Sequence, residues 1–445
     1  MVESQITEWR DYLRRAPAVD DRDVDELEAH LREQIDELRE AGLTTDEAFL
    51  VAVKRMGDLD SLSREFAREH SGRLWKQLVL RGEGEPESPS GGWVEALVFA
   101  AAAAISVQVA RLAAGFPDEE PTWLVRNLAL IVLPFLAGYF ARRRQLGLRG
   151  WTLTLAPFAL AAVVVNVFPW KDGSGTELLA AVHLPVALWF VVAVPYMGGT
   201  VRSHERRMDF VRFTGEWVIY YVLIALGGGV LVGLTGLILE PLSPDLAEEV
   251  FEWVLPSGAA GAVIVAAWLV ESKQRVVENM APVLTMIFTP LFAVMLAVAA
   301  VTYAVSGVAA EFDRELLGVF DALLIVVLGL VLYSTSARDP SAPAGSMDRV
   351  QLLAVVSALA LDVMVLGSMV ARVGDLGFTP NRAAALGLNL VLLVNLAGAG
   401  WMSARFVAGR IGFHRPERYQ TTSLPVFALW AAAVVVVLPP LFAFA

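Results

Sequence analysis

Eleven apolar stretches, each close to the roughly 20 residues that a helix needs to cross a bilayer's hydrocarbon core, leave this chain few ways to fold. Their approximate limits are 93–115, 122–141, 151–169, 178–198, 216–239, 254–270, 281–305, 316–336, 350–371, 382–404 and 423–444. No water reaches backbone N–H and C=O groups at that depth, so a spanning segment must pair them internally, as a helix does. The prediction is an all-α, polytopic membrane protein with about 11 transmembrane helices and an N-terminal cytoplasmic helical domain. A hydrophobic content of 56% and a mean hydropathy of +0.56 agree with a chain that lies mostly in lipid.

Charge between the stretches alternates. One set of loops carries Arg142-Arg143-Arg144, Arg202 with Arg206 and Arg207, Lys273 with Arg275, Arg338 with Arg349, and Arg405, Arg410, Arg415 and Arg418. The other carries Asp118-Glu119-Glu120, Asp172 with Glu177, Asp245 with Glu248-Glu249, and Glu311 with Asp313. Basic loops stay on the cytoplasmic side. The expected location is therefore a bacterial cytoplasmic (inner) membrane, with the N-terminus cytoplasmic and the C-terminus outside. Glu3, Glu8 and Asp11 fall where a signal peptide would begin, so the first span is expected to act as the insertion signal. A net charge of −12 argues against direct nucleic-acid binding. The chain has no cysteine, which removes disulfides, thiolate metal sites and thiol nucleophiles.

Three parts follow: a helical prefix over 1–80, a flexible linker over 81–92 rich in Gly, Pro, Ser and Glu, and the membrane domain over 93–445. Within the prefix, Ile6, Trp9 and Leu13 mark a short opening helix over 3–16. Val24, Leu27, Leu31, Ile35 and Leu38 then make one apolar stripe at helical spacing, and Gly42 sits where a left-handed C-terminal cap is wanted. Thr44 and Glu47 have the spacing of a capping box. They open a second helix carrying Ala48, Phe49, Ala52, Val53 and Met56 and ending at Gly57. A third starts at Asp58 or Asp60 and carries Leu59, Leu62 and Phe66. Leu74, Trp75, Leu78 and Val79, interleaved with Arg73, Lys76 and Arg81, read either as an interfacial helix or as a continuation of the third. Leu27, Leu31, Phe49 and Phe66 are the residues expected to offer a partner surface.

Taken in order, Trp9 and Leu13, Asp25-Glu26-Leu27 with His30-Leu31, Gly42-Leu43-Thr44 with Glu47-Ala48, and Met56-Gly57-Asp58 resemble the permease prefix domain, also called the HAAS domain, over roughly the first 75 residues. That resemblance implies a cytoplasmic signalling or regulatory role, with a PadR-type transcription regulator as partner. The membrane domain, through Arg372-Val-Gly-Asp-Leu-Gly-Phe-Thr-Pro-Asn-Arg382 and the following Leu386 to Leu396, resembles an uncharacterised polytopic bacterial family that implies no reaction. Read physically, the same stretch is a tight turn. Gly374 and Gly377 supply permissive backbone, Thr379-Pro380 starts the tenth helix, and Arg372 and Arg382 are placed to pair with Asp375 or a neighbouring loop.

Ionisable groups inside the bilayer are the best pointers to a site, because an unpaired central charge costs at least ~3 kcal/mol. Asp362, at mid-depth in the ninth span, leads this set. With Asn389, Asn395 and Asp321 it forms the expected intramembrane polar site, either ion-coupled or held by an interhelical hydrogen bond. Gln108 and Arg111 share a face of the first span, with Arg111 able to snorkel to the surface. Arg126 and Asn127 open the second span. His183, before Pro185, reads as structural, and Glu26, His30 and Glu33 as a solvated face. Gly229 with Gly233, echoed by Gly258 and Ala262, are expected to let helices approach closely, or Gly227-Gly228-Gly229 to break a helix. Ser243-Pro244 is expected to cap a short amphipathic helix whose Asp245, Glu248, Glu249 and Glu252 face water.

No nucleotide-binding glycine loop, Ser/His/Asp arrangement or paired-carboxylate motif is present, so neither enzymatic activity nor a cofactor or metal is expected. The preferred reading is an integral membrane sensor that passes an envelope or membrane signal to a cytoplasmic partner through the prefix. The alternatives are a secondary transporter or permease with a regulatory prefix, and a structural subunit of a larger membrane complex. The expected partners are membrane lipid, the regulator and a homo- or hetero-oligomer.

Overall fold

The computed structural model describes residues 5–7, 9, 21–40, 43–57, 92–115, 121–171, 173–241, 243–272, 274–306 and 314–444. The chain divides between Ser88 and Pro89 into two compact units. In the first, α1 (Asp21–Glu40) packs on α2 (Thr45–Gly57). The apolar stripe drives that packing: Leu31, Ile35 and Leu38 from α1 meet Ala48, Phe49, Ala52 and Val53 from α2, with Ile6 and Trp9 in the same core. The Thr44 backbone N–H and hydroxyl both donate to the Glu47 carboxylate, at 2.9 and 2.6 Å, holding its pKa below the ordinary glutamate range. The Leu43 amide donates to the Leu38 carbonyl at 3.1 Å, a bond across the C-terminal end of α1. Gly42 itself lies outside the described residues, as do Leu13, the third prefix helix with Phe66, the segment at 74–81 and the linker up to Gly91.

The second unit holds α3 (Gly92–Ala114), α4 (Thr122–Arg143), α5 (Leu148–Val167), α6 (Gly175–Tyr196), α7 (His204–Leu239), α8 (Pro244–Ser272), α9 (Gln274–Ser306), α10 (Arg314–Ala337), α11 (Ser346–Leu376), α12 (Pro380–Val407), α13 (His414–Val436) and the short α14 (Leu438–Leu441). Among the described residues, eleven helices, α3 to α13, are long and apolar enough to cross a membrane. They enclose two large hydrophobic cores and two smaller clusters. One large core lies among α3–α8 and the other among α9–α12, with α13 packed on both α6 and α12. Phe140, Tyr196, Phe210 and Phe213 stack or meet edge-on near one end of the first core, with ring centroids 4.5–6.1 Å apart.

Side-chain bonds gather the basic loops at one end of this unit. Arg144 donates to the Tyr196 carbonyl and, with Arg143, pairs with Glu271. Arg212 donates to the Ser336 carbonyl, and Arg207 to that of Thr421. Arg338, paired with Asp348 at 2.8 Å, sits over the rings of Phe406 and Phe413. Among the described residues, the arginine-bearing loops therefore meet at one end in space. The opposite end, called here the acidic-loop end, carries the α5–α6 and α11–α12 turns beside which the candidate sites described below lie.

Some expectations give way. At ~54 Å by its 1.5 Å rise per residue, α7 is one helix of 36 residues running unbroken through Gly227-Gly228-Gly229. Gly229, Gly233 and Gly258 have no atom within 4 Å of where a Cβ would stand, so they bring no helices together. Close approach is made at other glycines: Gly215 against the Tyr333 ring, Gly236 against Phe251, Gly387 beneath Trp430 and Gly398 beneath Tyr419. The helix capped at Ser243 is not separate but continues into the sixth span as α8, because nothing between Trp253 and Ser257 except Pro256 interrupts it, and Pro256 is accommodated within the helix. In the first unit, Leu31 and Phe49 are 0% and 1% exposed. They build its core and are not an outward partner surface; the exposed face of α1 carries Ala29, Glu33 and Asp36 instead. The side chain of Leu27 lies outside the described set.

Candidate polar site between α10, α11 and α12

The turn from α11 to α12 builds the mouth of this site. Gly377 closes α11 with a positive φ of 78°, which glycine adopts without strain. The Thr379 hydroxyl then caps α12, accepting from the Arg382 amide at 3.4 Å, and Pro380 occupies the first turn where no N–H is needed. Gly374 is helical and makes no such turn. The Arg382 guanidinium donates to the Gly377 carbonyl at 2.6 Å. Asp375, on the last turn of α11, is exposed.

Beneath this turn lies a cavity of about 440 Å³, lined by Arg372, Asn381 and Arg382 near the mouth and by Asp321, Met369 and Ala385 further in. Asn389 is bonded to three of the lining residues. Its amide donates to Asp321 at 2.8 Å, to the Ala385 carbonyl at 2.9 Å and to the Met369 sulfur at 3.4 Å. Three helices are thereby tied at one side chain, while its own Oδ1 is buried without a partner.

Asp362 stands two turns of α11 below Met369 on the same face, about 10 Å deeper. It is 0% exposed, and neither carboxylate oxygen has a hydrogen-bond partner. Asp321 is within electrostatic reach of it. Asn395 lies outside the Asp321–Asn389 cluster, for its amide donates to Gln420 of α13 at 3.5 Å. The α11–α12 register, fixed by Met369 on Asn389 and by Val355 against Gly400, brings Asn395 to the depth of Asp362. The Asn395 Oδ1 and the Ser368 hydroxyl are also buried without partners. Of the four residues expected to share a site, the structure joins Asp321 to Asn389, sets Asp362 below them and turns Asn395 toward α13. Sequence reasoning missed Gln420, whose only signal was a polar residue near the start of an apolar span.

Chemically, the two carboxylates differ. Asp321 keeps a donor and an opening to the cavity, conditions that tolerate a charge. Asp362 has neither, and a bare carboxylate there calls for a proton or a bound cation. No group of three or more His, Asp or Glu side chains that could hold a metal ion occurs among the described residues.

A second polar cluster at the same end is structural in character. Arg126 is buried in an ion pair with Glu177, and its guanidinium also lies 5.2 Å from the Trp170 ring. Asn127 and Asn166 donate to one another's amide oxygens at 3.0 and 2.8 Å. The Ser174 hydroxyl caps α6 by accepting from the Glu177 amide. Nearby, Gln108 donates to the Trp253 carbonyl and the Ser257 hydroxyl, each at 2.8 Å, and Arg111 donates to the Glu252 carbonyl. Arg111 thus fastens α3 to α8 and does not snorkel. His183 shares a hydrogen bond of 2.9 Å with the Leu179 carbonyl, one turn back. The Glu177 pairing was hidden in the sequence because Glu177 reads as one more acid of an outer loop.

No protein-family model matches this chain, and no curated protein or solved structure matches it either.

Proposed function

We propose that this chain is a secondary transport protein of the bacterial cytoplasmic membrane, energised by a proton or small cation taken up at Asp362, with the helical prefix as a regulatory appendage. The observation that carries the proposal is Asp362 itself, fully buried and unpartnered beneath a cavity lined in part by Asp321, Arg372 and Arg382. Leaving that carboxylate bare costs at least ~3 kcal/mol, and an occupant relieves the cost. Occupancy and helix arrangement are then linked, since packing that suits the filled site does not suit the empty one. Asp321, holding the Asn389 amide at the cavity floor, is the natural relay between the cavity and Asp362. By the loop-charge argument the cavity faces the outside.

The test uses right-side-out vesicles bearing the full chain and given small-molecule fractions of the growth medium, with proton and sodium fluxes followed by dyes. Solute-dependent flux is expected in the wild type and absent in Asp362→Asn. Flux that is absent, or indifferent to Asp362, overturns the proposal.

A sensor reading has its own support. The prefix is a separate compact unit with its own core, and its resemblance implies a PadR-type regulator as partner. Recovery of such a regulator with the full chain after crosslinking, lost when Glu33 and Asp36 on the exposed face of α1 are reversed in charge, would favour it.

A further inference from the structure

An apolar groove of about 840 Å³ runs along α7, bounded by α9, α10 and the adjoining faces of α6 and α13. Phe210, Val218 and Val222 line it from α7, Phe288 from α9, and Gly329 and Tyr333 from α10. Its α7 wall, from Phe210 to Leu223, is about 20 Å long at 1.5 Å per residue, against a hydrocarbon core of about 30 Å. The groove therefore starts near the basic end and reaches past the middle of the spans. Val218, Val222, Phe288 and Val326 on its rim are 44–48% exposed, so it opens sideways, where lipid lies, and not into water.

The groove's basic end has the opposite character. The Arg212 guanidinium sits one turn before Gly215, which packs on the Tyr333 ring, and it donates to the Ser336 carbonyl at 3.1 Å. Between Thr200 and Glu216, four arginines (Arg202, Arg206, Arg207, Arg212) outnumber three acids, Glu205, Asp209 and Glu216. An apolar trough open to the bilayer, with cationic charge at headgroup depth, matches one chemical class.

We propose that the groove is a binding site for an anionic phospholipid of the surrounding membrane, one acyl chain lying between α7 and α10 and its phosphate near Arg212. Burial of the chain contributes in proportion to the apolar area covered, and the arginines select headgroup charge. This inference is independent of the transport reading: the site lies away from Asp362, and lipid binding can hold or fail whatever the protein carries.

The test is native mass spectrometry of the full-length protein, delipidated in mild detergent and then offered phosphatidylglycerol or phosphatidylcholine. Wild type is expected to retain phosphatidylglycerol in preference. Gly329→Trp, whose indole enters space with no atom within 4 Å of the added Cβ, is expected to lose the retained lipid. Val218→Trp on the facing wall should do the same, and Arg212→Gln should keep lipid but lose the headgroup preference. Val305→Trp, at an 82% exposed position outside the groove, is the control and should behave as wild type. Equal retention by wild type and either filled variant that elutes as a single folded species overturns the proposal. So does retention without preference for the anionic headgroup.

Discussion

Replacing Asp362 by leucine should make this protein more stable. The wild-type side chain is 0% exposed with both oxygens unpartnered, and an unsatisfied buried polar group costs about 1–3 kcal/mol, more when charged. Leu361 and Val365 on the same helix, and Leu392 and Leu396 on the next, belong to the surrounding core, so an apolar side chain of similar size has neighbours to pack against. The expected gain is therefore about 1–3 kcal/mol. The opposite expectation is equally definite: if Asp362 were a protonated donor bridging two helices, its loss would cost about 0.6–1.7 kcal/mol. The sign separates the two. Unfolding of the full chain in mixed detergent–dodecyl sulfate micelles, followed by tryptophan fluorescence, reads the difference. A destabilised Asp362→Leu refutes the reasoning, and with it the claim that this carboxylate is kept at the expense of stability. A stabilised variant that also loses solute-dependent flux would show the trade-off expected of a functional group.

Glu177→Ala should destabilise by about 3–5 kcal/mol, because it strands the buried Arg126 charge, while replacing both partners by leucine should recover most of the loss in the same unfolding assay. Gly387→Ala should cost about 1–3 kcal/mol by overpacking, since its Cβ would meet the Trp430 ring; pairing it with Trp430→Leu should restore stability, and failure to do so would place the cost elsewhere. Glu47 carries a lowered pKa through its bonds from Thr44. Its contribution to α2 is thus present above the ordinary glutamate value of about 4.3 and lost as pH falls through the lowered one. Hydrogen exchange in the first turn of α2 should quicken across that window in the wild type and show no such step in Thr44→Ala.

The membrane fold was legible because its signals are local. Twenty apolar residues demand a helix wherever they stand in lipid, and arginines in alternate loops need no knowledge of neighbours, so eleven spans and the gathering of basic loops followed from the sequence. Capping was local too: Thr44 with Glu47, and Thr379 with Pro380, act within one turn. In the prefix, the stripe through Leu31 and Phe49 announced a buried face but not what would cover it. The structure covers it with the prefix's own helices.

What only tertiary structure decided was which polar groups meet and which glycines matter. Asn389 and Asp321 are 68 residues apart and Asn395 and Gln420 are 25 apart. Residue type and depth suggested a polar site, but helix rotation determined that Asn389 would face Asp321 while Asn395 turned to α13. The Gly229–Gly233 spacing is sound packing chemistry that faces no helix here, whereas Gly215, Gly387 and Gly398, unremarked in the sequence, lie under aromatic rings. Apolar periodicity could not resolve these questions because helices that are hydrophobic on every side offer no preferred face. In such a chain the rotation of each helix is set by the few polar and small residues that find partners, and finding them is a property of the assembled bundle.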